Sequence, residues 1–266
     1  MAEAAFLHLL AAAVFGLLTG SFLNVCIYRL PRDLSVIVPR SFCPECGKSI
    51  AWYDNVPLLS YALLRAHCRS CGKGIGIRYP LVELLTGALC VWTVARYGWS
   101  LEALKWTVFE LILIVLFWTD LEERILPDEL TLGGSVAGVV LAIFVKVPGV
   151  MGELLLPNQR MVWRSLTNAG MGALFLAGPI WLAGLLYARI RKKDGLGLGD
   201  VKLLILLGVF LGLENGLLAL TIGAVTGTVL GLLYIWLKRE DAASYELPFG
   251  SFLCAGAALV PLLVKL

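Results

Sequence analysis

Histidine is nearly missing from this chain: His8 and His67 are the only two in 266 residues. A Ser–His–Asp triad needs an imidazole base, and neither histidine lies in a pattern that suggests one. Charge is scarce as well. Asp, Glu, Lys and Arg make up 15% of the chain, against roughly 25% in a soluble domain. Hydrophobic residues reach 59% and mean hydropathy is +0.85, which excludes a soluble domain on a single anchor and reads as a polytopic membrane protein. Internal repeats, low-complexity tracts and flexible linkers are lacking. No basic segment precedes the apolar stretch 4–28, and it continues past any small-residue cleavage site, so it reads as a retained span and not a cleaved signal. No G-x-G-x-x-G follows a strand, which excludes a dinucleotide loop, and nothing points to nucleic acid.

What is present is apolar runs. They lie near 5–28, 80–97, 101–119, 130–147, 166–188, 201–213, 216–237 and 248–264. The sixth is short for the ~20 residues a helical span needs. The expectation is an all-α fold of about eight transmembrane helices. Of the 22 basic residues, 16 fall in one set of loops, Arg189-Ile190-Arg191-Lys192-Lys193 and Arg239 among them; the other six are Arg96, Lys105, Lys146, Arg160, Arg164 and Lys265. The positive-inside rule makes the first set cytoplasmic. The expected organisation is a first helix at 1–28, a cytoplasmic loop at 29–79 and a membrane core at 80–266. A shorter external connection covers 148–165. Gly223-xxx-Gly227-xxx-Gly231 is a small-residue ladder that lets membrane helices approach closely, within the chain or between two chains.

The loop carries one unit twice, Cys43-Pro44-Glu45-Cys46-Gly47-Lys48 and Cys68-Arg69-Ser70-Cys71-Gly72-Lys73. Two CxxC knuckles at this separation have the spacing of a four-cysteine zinc site. Two disulfides or four free thiols are the alternatives, and a cytoplasmic loop disfavours disulfides. A closed Cys₄ site has no open coordination position, so Zn²⁺ at Cys43, Cys46, Cys68 and Cys71 is read as structural. His67 adjoins the second knuckle and is a spare candidate ligand. Cys26, Cys90 and Cys254 stand alone in apolar runs and read as packing residues.

Two carboxylates stand apart from the other acids. Asp120 closes the apolar run Leu111–Thr119, and Asp200 follows Gly195-x-Gly197-x-Gly199 at the start of another. Ionisable groups at the border of a membrane span are costly and mark function. Both fall on the side assigned as cytoplasmic, where two aspartates at one depth can share a proton and act on water. The plainer readings are a boundary marker for Asp120 and an N-cap for Asp200. Glu122 and Glu123 read as a turn paired with Arg124, and Asp128 and Glu129 after Pro127 as helix initiation. Glu83, an acid just inside the second run, reads either as a partner of Arg78 or as part of a ligand site.

Together these residues resemble the type IV prepilin leader peptidases, bacterial membrane aspartic peptidases of the GxGD type that also act as N-methyltransferases. The resemblance rests on Gly20-Ser21-Phe22-Leu23-Asn24-Val25, the two CxxC pairs, Asn55-Val56-Pro57-Leu58-Leu59-Ser60-Tyr61 and Arg78-Tyr79-Pro80-Leu81-Val82-Glu83. It continues through Asp120 with Leu126-Pro127-Asp128, Gly197-Leu198-Gly199-Asp200, and Pro248-Phe249-Gly250. It implies Asp120 and Asp200 as the catalytic pair and the four cysteines as zinc ligands. It also implies prepilins and type II secretion pseudopilins as substrates, cut on the cytoplasmic side of the inner membrane. S-adenosylmethionine is then the methyl donor for the new N-terminal residue, and Glu83 a candidate for that step. The segment between the first span and the first CxxC is short, Arg32–Phe42, where some members carry an insertion. Remaining alternatives are a peptidase without methyl transfer, an ion-coupled transporter using the two aspartates, and a non-catalytic scaffold.

Overall fold

The computed structural model describes residues 2–191, 197–238 and 247–264. Lys192, Lys193, Gly195, Arg239 and Lys265, used above for charge and spacing, lie outside them. The described chain is all-helical apart from two isolated antiparallel bridges in the cysteine loop. Its helices are α1 (Ala2–Arg29), α2 (Leu59–Leu63), α3 (Arg78–Tyr97), α4 (Leu101–Glu123), α5 (Asp128–Phe144), α6 (Met151–Leu155), α7 (Met161–Arg191), α8 (Leu198–Lys238) and α9 (Phe249–Leu263). Three of them, α1, α7 and α8, are both long and apolar enough to cross a membrane. The helices form two compact units, Met1–Val115 and Leu116–Leu266, with the division falling inside α4.

In the first unit α1 packs along α3. Small residues set the distance: a Cβ on Gly16 or Gly20 would stand 2.8 Å from the Gly87 Cα or 2.7 Å from the Glu83 Cα. Asn24 donates from Nδ2 to the carbonyl of Tyr79 at 3.1 Å, pinning the end of α1 to the start of α3. The Arg29 side chain is buried and donates to the carbonyls of Ser35, Pro39 and Arg40, folding the first stretch of the loop around one guanidinium. Gly98 closes α3 at φ 65°, the left-handed cap that glycine adopts without cost.

In the second unit α8 is the central helix, packed against α5, α7 and α9. The sixth and seventh apolar runs of the sequence form its two helical halves, separated by the non-helical Gly212 (φ 74°, ψ −174°). There the Pro148 carbonyl sits 2.1 Å from where a Cβ would be, so the break admits the backbone of the 148–150 turn. Asn168 holds that turn from α7, accepting from the Gly152 N–H at 2.6 Å and donating to the carbonyls of Val147 and Gly149. The glycine ladder packs within the chain: Gly223 and Gly227 face Phe252 and Leu253 of α9, and Gly231 faces Leu247. Pro248 precedes α9 and Pro127 precedes α5, each setting the entry of its helix.

Candidate active site and metal centre

The metal centre is built from two copies of one turn. Cys43 N–H bonds the Lys48 carbonyl at 2.9 Å and Gly47 N–H bonds the Cys43 carbonyl at 2.9 Å. The second knuckle repeats both bonds through Cys68, Lys73 and Gly72 at 2.8 and 2.9 Å. Gly47 and Gly72 sit at φ 70° and 68°, where a side chain would be strained. The four sulfurs lie within 4.8 Å of one another, and those of Cys43 and Cys71 are 4.0 Å apart. Tetrahedral zinc with bonds of about 2.3 Å sets sulfurs about 3.8 Å apart, so the donor set fits the ion. No disulfide joins any of the four. The N–H groups of Cys71 and Ser70 hold the Cys68 thiol down, to about 7, and so favour the thiolate that binds metal. His67 turns its ring to the Arg65 carbonyl and is not part of the cluster. Beside the second knuckle, Arg69 forks onto Asp54 at 2.7 and 2.8 Å and keeps that carboxyl below its ordinary range.

A cavity of about 470 Å³ lies in the same unit, between the ends of α1 and α3 and the loop, with Ser21, Asn24, Tyr28, Tyr53, Asp54 and Glu83 in its wall. Glu83 is 8% exposed. Its Oε2 accepts the Leu58 N–H at 2.8 Å. Leu58 holds φ 59° and ψ −46°, a conformation a non-glycine residue keeps only when its surroundings impose it. The Leu58 N–H is a partner of Glu83 that the sequence did not offer. Asn24 Oδ1 is buried with no hydrogen-bond partner in this wall.

The second unit holds the other candidate site. Asp120, Arg124, Leu126, Gly197, Gly199, Asp200, Leu247 and Phe249 line one cavity of about 200 Å³. Asp120 stands in the last turn of α4 and is 6% exposed. Asp200 stands in the first turn of α8, its N–H on the Gly197 carbonyl at 3.1 Å. It is thus inside the helix, not the N-cap the sequence suggested. The two residues are brought together from the ends of different helices, 80 positions apart in the chain. Arg124 ends α4 at φ 59° and returns its guanidinium to the carbonyls of Asp120 and Leu121 at 3.2 and 3.1 Å. Leu126 wedges between the start of α8 and the start of α9, within 3.4 Å of a Cβ on Gly199 and 3.1 Å of one on Gly250. Asp128 pairs with Lys202 at 2.7 Å and ties the N-terminus of α5 to α8 one turn beyond the cavity. That bond lies on the protein surface and adds to, without replacing, the helix-initiating position of Asp128.

Ser251 was not singled out from the sequence. Its N–H and its hydroxyl reach Asp120 Oδ2 at 2.6 and 2.8 Å, and the hydroxyl also lies 2.9 Å from the Phe117 carbonyl. The only signal in the sequence was the Pro248-Phe249-Gly250 that precedes it.

Residues 14–97 match the bacterial peptidase A24 N-terminal domain, and residues 107–232 match the type IV leader peptidase family. Among curated proteins the chain is similar to three named prepilin leader peptidase/N-methyltransferase. The Myxococcus xanthus protein is 39% identical over 222 residues, 84% of this chain and 62% of the relative, so the chain spans less than two thirds of that relative's length. The Xanthomonas campestris pv. campestris protein is 34% identical, covering 94% of this chain and 89% of the relative. The Burkholderia pseudomallei (strain K96243) protein is 36% identical, covering 95% and 84%. No solved structure matches the chain.

Proposed function

Because the chain belongs to the type IV leader peptidase family, a family of enzymes, we propose that it is a membrane aspartic endopeptidase that removes the leader of prepilins and pseudopilins, and an N-methyltransferase for the amine so released. The observation that carries the peptidase reading is the single cavity lined by both Asp120 and Asp200. One carboxylate takes a proton from water as the water oxygen bonds the scissile carbonyl carbon. The other gives its proton to the carbonyl oxygen. When the C–N bond breaks, the first carboxyl gives its proton to the leaving nitrogen while the second takes one back from a hydroxyl of the tetrahedral diol, and the pair is restored. An ion-transport reading needs carboxylates along a path through the span, whereas these two stand at helix ends.

We assign about eight membrane crossings to the chain, with the cavity opening to the cytoplasmic side of a bacterial inner membrane. Support comes from the bias of 16 basic residues to one set of loops. The division of labour is 1–28 as first helix, 29–79 as the zinc-stapled loop serving methyl transfer, and 80–266 as the peptidase core. Cys43, Cys46, Cys68 and Cys71 would hold zinc, and zinc there supplies rigidity to a loop with little core of its own.

S-adenosylmethionine brings an electrophilic methyl on a sulfonium cation. The wall around Glu83 suits such a group: it offers a carboxylate to the positive sulfur, and the amide oxygen of Asn24 is a spare acceptor. Glu83 also anchors Leu58, a structural role carried by a hydrogen bond. Glu83→Gln separates the two roles, because the amide oxygen still accepts from Leu58 while the charge is gone. Calorimetry with S-adenosylmethionine, and mass spectrometry of the mature pilin N-terminus, should show weaker binding and lost methyl with cleavage retained. Equal loss of cleavage and methylation would make Glu83 purely structural. For the peptidase, Asp120→Asn and Asp200→Asn should each abolish leader removal from a purified prepilin without unfolding the protein. Near-normal cleavage by either variant would overturn the pair.

A further inference from the structure

We propose that Ser251, in the first turn of α9, is a positioning residue that holds Asp120 as the proton-accepting member of the pair and decides which of its oxygens meets water. The inference rests on reading Asp120 and Asp200 as the catalytic pair; it adds to that reading an order within the pair.

Two contacts converge on one carboxylate oxygen, and two further features fix them in place. The Ser251 N–H donates to Asp120 Oδ2 at 2.6 Å, and the Ser251 hydroxyl meets the same oxygen at 2.8 Å. The hydroxyl is itself anchored to α4 by the Phe117 carbonyl at 2.9 Å, so its one proton lies between two oxygens of α4 and the serine rotamer is fixed. Gly250 leaves the helix start bare: a Cβ there would be 3.0 Å from Asp120 Cγ and 3.2 Å from Oδ1. The 15-residue helix α9 thus points its N-terminal end at the carboxylate, with the Ser251 N–H as the donor that reaches it. Oδ2 is engaged by donors, so Oδ1 is the oxygen left to take a proton from water. Among the described residues the structure gives the Asp200 carboxyl no donor of this kind. Asp200 is therefore the member that carries the proton to the carbonyl oxygen.

The charged and titratable groups around Asp120 do not provide this order in another way. Asp200 faces it from α8 across the cavity. Arg124, the residue after α4, donates to main-chain carbonyls, that of Asp120 included. Cys254, one turn beyond Ser251 on α9, is buried on the side of both aspartates and brings no charge of its own. Lys202, further along α8, is paired with Asp128.

The test is the pH profile of leader cleavage by the full-length protein in detergent or liposomes, with a purified prepilin as substrate. Ser251→Ala keeps the N–H and removes the hydroxyl. Loss of one charge-assisted hydrogen bond should lower kcat about tenfold and move the acid side of the profile up by about one pH unit, with KM within about twofold. Ser251→Thr restores the hydroxyl and should restore both quantities. Ser251→Cys, which keeps the side-chain volume and weakens the donor, should show the same direction of change and guards against a folding defect in the alanine variant. A lower kcat with an unmoved acid limb, or no rescue by threonine, would overturn the proposal and leave Ser251 as packing. Cleavage by Asp120→Asn would instead overturn the catalytic pair itself, so the two failures are distinguishable.

Discussion

Replacing Gly250 with alanine is expected to suppress leader cleavage in a protein that still folds. The added Cβ would stand 3.0 Å from Asp120 Cγ and 3.1 Å from Leu126 Cδ1. Ordinary carbon–carbon contact is about 3.5–4.0 Å, so one or both neighbours must retreat by about 0.5–1 Å. Leu126 can rotate away. The Asp120 carboxyl cannot move without lengthening its 2.6 and 2.8 Å contacts with Ser251. Misplacement of a reacting group by about 1 Å costs on the order of 100-fold in rate, so a fall of about 10- to 100-fold is expected. Stability should change far less. Gly250 is an ordinary helical residue, and alanine gains about 1 kcal/mol of helix propensity, which offsets part of an overpacking cost of about 1–3 kcal/mol. Cleavage of a purified prepilin followed by gel shift gives the rate, and thermal melting in detergent gives the stability. Wild-type rate with wild-type melting would refute the close approach of α9 to Asp120. A collapse of melting in parallel with rate would refute the view that the position serves chemistry more than folding.

Purified protein should carry about one zinc per chain, and Cys43→Ser with Cys46→Ser should release it and open residues 40–75 to proteolysis while the helices persist; elemental analysis is the check. Gly212→Ala should lower melting markedly, by roughly 3 kcal/mol or more, because a left-handed backbone and the Pro148 carbonyl both oppose a side chain there. The Asp54–Arg69 pair steadies the loop above the ordinary aspartate range and is lost as pH falls through the lower folded value of Asp54. Arg69→Ala should therefore raise the pH at which the loop becomes protease-sensitive in acid.

The cysteine centre was legible because each knuckle is a local object: five or six residues with a glycine where the turn needs positive φ, written twice. The glycine ladder was legible as a packing face for a related reason, since helical spacing alone puts Gly223, Gly227 and Gly231 on one side. That α9 of the same chain fills that face is a tertiary fact. The border positions of Asp120 and Asp200 could be read from where hydropathy ends. The hydrogen bonds that orient Asp120 could not, because Ser251 is 131 residues away and a serine at the start of an apolar run is unremarked by composition. The break between the sixth and seventh apolar runs was legible near its place, but the backbone it admits was hidden. Gly212 is one of several glycines in that stretch, and only the docking of the 148–150 turn distinguishes it.

Both cavity-lining carboxylates belong to terminal helical turns, Asp120 at the close of α4 and Asp200 at the opening of α8. Hydrolysis needs water, and a protease embedded in lipid must admit it without becoming a leak. With the reacting groups at the mouths of helices, water has only to wet one face of the protein. The helical interior beyond, filled by Leu203, Leu204, Leu207 and Phe210, stays dry. A protein so built can offer its two carboxylates to water and still keep a sealed apolar interior.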